Sequence, residues 1–125
     1  SGTRTSAPQF PRTWEIASSA AEEFVLPEIR VQIDNQSVEH ATIIDVFAYQ
    51  KLGLLYTISK KIYQFGLDVH FARTSVYGTR IVCVFYVTDE SHSKVRDLRQ
   101  LVKIRRGLLE TTRAFLSGKA PSSDS

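Results

Sequence analysis

The chain has one cysteine, no methionine and no long apolar run, and each shortage removes a class of protein. A lone Cys83 cannot close an intramolecular disulfide, so a disulfide-stapled secreted scaffold is excluded. Its place inside an apolar strand suits a small buried hydrophobe, and a reducing, cytoplasmic setting is the simpler expectation. No segment approaches the roughly eighteen apolar residues that a membrane-crossing helix needs, and the start lacks the charged-then-apolar order of a secretory signal, so no membrane partner is expected. The chain opens Ser1-Gly2-Thr3 rather than on methionine, the pattern of a fragment or a processed protein.

Charge of one sign is scarce too. Sixteen Lys and Arg against thirteen Asp and Glu leave a net +3, too mild for the dense basic footprint that would put nucleic acid first. There is no P-loop, no GxGxxG and no GxSxG. His40, His70 and His92 stand in three separate elements without a cysteine or carboxylate at metal-ligand spacing, so neither metal nor cofactor is expected. Asp45, Asp68, Asp89 and Glu90 read as strand-face or turn residues, and catalysis within this chain is not expected.

What is present is one core. At 125 residues and 42% hydrophobic the chain can build a single domain and is too short for two ordinary ones. Residues 1–27 read as a flexible extension in which Trp14 to Leu26 admits a short helix, with Ser19 and Glu22 at capping-box spacing. Residues 117–125, polar and broken by proline, read as a disordered tail. Between them, residues 28–116 carry the periodic pattern of a folded domain.

Glu28 to Asp34 alternates cleanly, with Ile29, Val31 and Ile33 on one side, which predicts a strand with one dry face. Thr42 to Tyr49 predicts a second strand, placing Ile44, Val46 and Ala48 on one face and Ile43, Asp45, Phe47 and Tyr49 on the other. A helix is expected from Leu52 or Gly53 to Phe65 on the stripe Leu54, Leu55, Ile58, Ile62 and Phe65, closed by Gly66 as a left-handed cap. Strands from Leu67 to Val76 and from Arg80 to Asp89 flank Tyr77-Gly78-Thr79. A second helix is expected from Ser93 to Leu116 on Val95, Leu98, Leu101, Val102, Leu108, Leu109 and Phe115, with a cationic outer face that reads as solvated.

Ile81 to Val87 is apolar on both faces, the mark of a strand covered from both sides. Helices cover one side, so either Cys83, Phe85 and Val87 or Val82, Val84 and Tyr86 face something else, which a second copy or a partner would supply. Gly53 opens the first helix, where backbone amides without intrahelical partners suit a ligand carboxylate and no side chain blocks the approach. The same glycine also suits a tight strand-to-helix turn with no ligand at all.

The stretches Ile33-Asp34-Asn35, Thr42-Ile43-Ile44-Asp45-Val46, Gly53-Leu54-Leu55-Tyr56, Leu67-Asp68-Val69, Tyr77-Gly78 and Val84-Phe85-Tyr86-Val87-Thr88-Asp89 together resemble an ACT domain. More narrowly they resemble the C-terminal ACT domains of the bifunctional uridylyltransferase/uridylyl-removing enzymes that modify the PII signal protein. The resemblance covers about residues 27 to 112 and implies an α+β, ferredoxin-like two-layer sandwich: an antiparallel four-stranded sheet with two helices on one face. No strand-like run follows Leu116, so Glu28 to Asp34 has to fill the sheet edge beside Thr42 to Tyr49.

The resemblance implies a regulatory module that senses an amino acid such as glutamine, with the candidate ligand loop at Gln50, Lys51, Leu52, Gly53, Leu54 and Leu55. That family usually writes aspartate, arginine, proline, glycine where this chain has Gln50, Lys51, Leu52, Gly53. A second ACT domain or a homodimer is the implied protein partner, with Phe47, Cys83, Phe85 and Val87 as the pairing interface. Two other readings stand beside it. One is a ligand-free pairing module. The other is a single-stranded RNA binder using Phe47, Tyr49 and Phe85 as a stacking platform, which the missing glycine and aromatic positions of Arg80 to Val87 disfavour.

Overall fold

A computed structural model of the chain describes residues 29–118. Six elements follow in the order ββαββα: β1 (Arg30–Asp34), β2 (Thr42–Tyr49), α1 (Leu54–Gln64), β3 (Asp68–Tyr77), β4 (Arg80–Thr88) and α2 (Leu98–Leu116). The strands form one antiparallel sheet ordered β1-β2-β4-β3, and both helices pack on one face of it, a ferredoxin-like α+β arrangement. As expected, β1 fills the edge beside β2. The predicted helix over Trp14 to Leu26 and most of the predicted tail lie outside the described residues.

The register explains how the core closes. Ile44 stands opposite Ile33 on one side and Phe85 on the other, and Val46 stands opposite Val31 and Cys83, so three strands present one apolar row to the helices. Leu54, Ile58 and Ile62 from α1 and Ile104 and Leu108 from α2 complete this core. Burial of such side chains stabilises by about 1.5–3 kcal/mol each before the entropy cost is subtracted.

Two expectations about helix faces need correction. Leu55 lies on the outer side of α1 and is exposed, because Leu54, Ile58 and Ile62 already fill the inward stripe at i, i+4 and i+8. The second helix begins at Leu98, five residues later than expected; Val95 is buried but belongs to the extended segment before it. Leu98 and Val102 are exposed, and Ile104 and Thr112 take the inward places instead. Thr112 satisfies its buried hydroxyl by donating to the Leu108 carbonyl, 2.7 Å away.

That extended segment is held by polar contacts rather than helix bonds. The Val95 N–H donates to Thr42 Oγ1 (2.9 Å), the Thr42 hydroxyl donates to Asn35 Oδ1 (2.6 Å), and Asn35 Nδ2 donates to the Val95 carbonyl (2.7 Å). This closed ring ties the β1–β2 connection to the approach to α2. The helices cross at Gly107, where an added Cβ would fall 2.5 Å from Phe65 Cζ. A side chain there would push Phe65 out of its seat, so the close approach of α2 to α1 depends on the glycine.

Candidate functional site

The loop from Gln50 to Leu55 begins where β2 ends. The Gln50 N–H donates to the Thr79 carbonyl at 2.8 Å, anchoring the loop to the β3–β4 hairpin turn. The Leu54 N–H then donates to the Lys51 carbonyl (3.0 Å), and the first helical bond runs from Thr57 N–H to the Gly53 carbonyl (3.0 Å). Gly53 is the N-cap of α1 with φ +91°, a left-handed conformation that costs an L-residue about 1–2 kcal/mol. Glycine is therefore required by the turn itself.

No side chain caps α1, and its first turn holds no carboxylate. Within the helix itself the partial positive charge of its start is thus unanswered, which is the electrostatic condition for receiving an anionic group. Leu52 is 98% exposed and Tyr56 is 70% exposed, with Leu55 beside them, so the surface around the loop is apolar. Leu54 differs from its neighbours, being buried in the core, and its side chain anchors the loop rather than lining it.

The sequence gives no sign of a further contact, the C-terminal turn of α2. Lys51 Nζ donates to the Phe115 carbonyl at 2.8 Å and lies 4.7 Å from the centre of the Phe115 ring. A cation at a helix C-terminus is favourable, so Lys51 joins the end of one helix to the start of the other. Phe115 Cζ would sit 3.3 Å from a Cβ on Gly53, placing the aromatic ring directly against the loop. The periodicity puts Phe115 on an apolar stripe; only the tertiary crossing reveals that the stripe ends here.

The residues expected at a pairing interface divide between the two faces of the sheet. Cys83, Phe85 and Val87 are fully buried beneath the helices, because their β2 partners Val46, Ile44 and Thr42 set that parity. The outward set is Val82, Val84 and Tyr86, clustered with Ile43 and flanked by Phe47. Phe47 is the one expected interface residue on that outer face, with the Arg30 guanidinium 4.5 Å above its ring. The platform of Phe47, Tyr49 and Phe85 does not form, since Phe85 points the other way.

Burial pushes the Cys83 thiol up to about 11, which keeps it protonated and unreactive at neutral pH. His70 Nε2 pairs with Thr88 Oγ1 at 2.6 Å, and His92 lies 3.9 Å from Asp68. Among the described residues no three His, Cys, Asp or Glu come together as a metal-binding group would require, and no helix is long and apolar enough to cross a membrane.

No protein-family model matches the chain. Among curated proteins it is similar to the bifunctional uridylyltransferase/uridylyl-removing enzyme of Rhodospirillum rubrum, 33% identical over 79 residues, which is 63% of this chain and 8% of that protein. The enzyme of the same description from Azospirillum brasilense is 36% identical over 80 residues, 64% of this chain and 9% of that protein. That from Caulobacter vibrioides is 31% identical over 99 residues, 79% of this chain and 10% of that protein. The chain thus matches about a tenth or less of the length of these relatives.

Proposed function

We propose that this chain is an ACT-type regulatory module of a nitrogen-signalling protein of the uridylyltransferase kind, sensing a small amino acid such as glutamine. The observation that carries this reading is the match itself: most of the chain aligns with a tenth or less of enzymes described as uridylyltransferase/uridylyl-removing. A piece that small, lacking any clustered catalytic or metal-binding side chains among its described residues, suits a module that reports on a ligand. Chemistry would reside elsewhere in the parent.

The ligand carboxylate would lie at the uncapped start of α1, against the amides near Gly53, with Gln50 as a polar contact. The loop offers no carboxylate for the ammonium, so a second module of the same kind would supply that partner, docking on the exposed Leu52, Leu55 and Tyr56. Ligand binding would then favour the paired state, and only in proportion to its preference for it.

A second reading is favoured by a specific contact. Phe115 fills the space beside Gly53, and the Lys51 ammonium is already engaged by the Phe115 carbonyl, as in a ligand-free pairing module. Thermal unfolding of the chain against a panel of free amino acids separates the two, with a short single-stranded RNA as the control. Ligand at about a hundredfold over its dissociation constant stabilises by about 2.7 kcal/mol, several degrees in midpoint for a domain of this size. A shift selective for glutamine or another amino acid supports sensing. No shift favours the pairing module, and a shift with RNA alone overturns both.

A further inference from the structure

Beside the outer edge of β1, which no other described strand pairs, lies a groove of about 480 Å³, walled on the other side by the first two turns of α2. Its lining is apolar at Val31, Ile33, Leu98, Leu101 and Val102. Leu98 is 72% and Val102 49% exposed, one helical turn apart on the same face, so two large aliphatic side chains face water over the groove. Neither contributes to the core described above.

The groove is also cationic. Among the described residues Arg30 and Arg105 line it and no carboxylate does, though the Arg30 guanidinium lies over the Phe47 ring on the other face of the sheet. The helix that forms its wall carries Arg99, Lys103, Arg105, Arg106 and Arg113 against a single Glu110. Asp97, just before the helix, is engaged in capping it, and Asp34 accepts from the amides of Gln36 and Ser37 in its own turn.

The strand edge supplies the third component. Arg105 Nε donates to the Val31 carbonyl at 3.0 Å, which identifies that carbonyl as pointing away from β2 into the groove. Alternation along an antiparallel strand turns the backbone groups of Ile33 the same way. With the Val31 carbonyl already held by Arg105, the Val31 N–H and the backbone groups of Ile33 are what this edge offers another strand through main-chain bonds, with side-chain surfaces on either side selecting the sequence.

We propose that this groove docks an extended acidic peptide segment, paired along β1, with apolar side chains on Leu98 and Val102 and carboxylates toward the cationic face of α2. Charge complementarity selects this occupant over a second copy. Two-fold pairing along β1 would bring Arg99, Lys103, Arg105 and Arg106 of two α2 helices into opposition, and like charges across an interface oppose association. The site is distinct from the Gly53 loop, and the proposal stands whether or not that loop binds an amino acid.

The test is selection of random dodecapeptides on the intact chain, followed by fluorescence anisotropy of the enriched sequences. Enriched peptides should combine apolar residues with Asp or Glu. Their affinity should fall about tenfold or more in Leu98→Asp/Val102→Asp, equivalent to about 1.4 kcal/mol. Both positions are exposed, so far-UV circular dichroism should be unchanged, and Leu98→Ser provides a milder variant should the double change disturb the helix. Hydrogen exchange at Val31 and Ile33 should slow on binding, which contact with the helix alone would not produce. Absence of an acidic apolar class, affinity unaltered in the variants, or a self-associated chain that Leu98→Asp dissociates would each overturn the proposal, the last in favour of a second copy.

Discussion

The two helices lie in one layer over one sheet, yet they begin in opposite ways. α2 starts from Asp97, an extended N-cap whose carboxylate accepts from the Arg99 N–H at 3.2 Å, after a segment pinned by the Thr42, Asn35 and Val95 ring. α1 starts from Gly53 in a left-handed conformation, with no capping side chain and no carboxylate in its first turn. One start is satisfied by its own polar groups. The other is shaped by backbone geometry and by the far end of its neighbour, with the Leu54 N–H turned back to the Lys51 carbonyl and no side-chain cap on its positive end. Where a domain caps one helix terminus with a side chain and leaves another uncapped, the uncapped one is the better place to seek a ligand.

Substitutions can break this contrast, and their expected costs descend. Gly53→Val forces a β-branched residue into φ +91° and against Phe115. It should cost about 2–3 kcal/mol, read as a lower denaturant midpoint at unchanged slope, while the chain still folds. Thr42→Val should follow at about 2 kcal/mol, because it leaves the buried Val95 N–H and the Asn35 Oδ1 without their partner. Asp97→Ala should cost about 1 kcal/mol, and Asp97→Gly only a few tenths, when measured by urea unfolding.

The smallest effect sharpens the comparison most. Lys51→Met removes the ammonium that joins the start of α1 to the Phe115 carbonyl on an exposed surface, and should cost about 0.5 kcal/mol or less. Faster hydrogen exchange in the last turn of α2, with unchanged exchange in its first turn, would show that the two ends are coupled through this side chain. No change at either end would mean that Phe115 packing alone holds them.

Much of the fold is legible because its periods are clean. Thr42–Tyr49 was expected with the boundaries it has, since alternation of Ile44, Val46 and Ala48 against Ile43, Asp45 and Phe47 names both faces. The edge place of β1 follows from the lack of a strand-like run after Leu116. The parity of β4 was not legible: Ile81 to Val87 is apolar throughout, and only its pairing with β2 turns Cys83, Phe85 and Val87 inward. The start of α2 was misplaced because Val95 fits the apolar stripe, and its exclusion from the helix depends on hydrogen bonds to residues more than fifty positions away. In the candidate loop, the glycine was readable from the chain, while the exposure of Leu55 was not, and Phe115 and Lys51 meet only through the helix crossing.

Cys83 gives the molecule a built-in reporter. It is the single thiol of the chain, sealed under both helices and protonated through the neutral range. A thiol reagent can reach it only when the helix layer separates from the sheet, so the rate of labelling measures how often the core opens. One mass spectrum over time would follow that opening without any added probe, and a ligand that binds the closed form would slow the reaction in proportion to its occupancy.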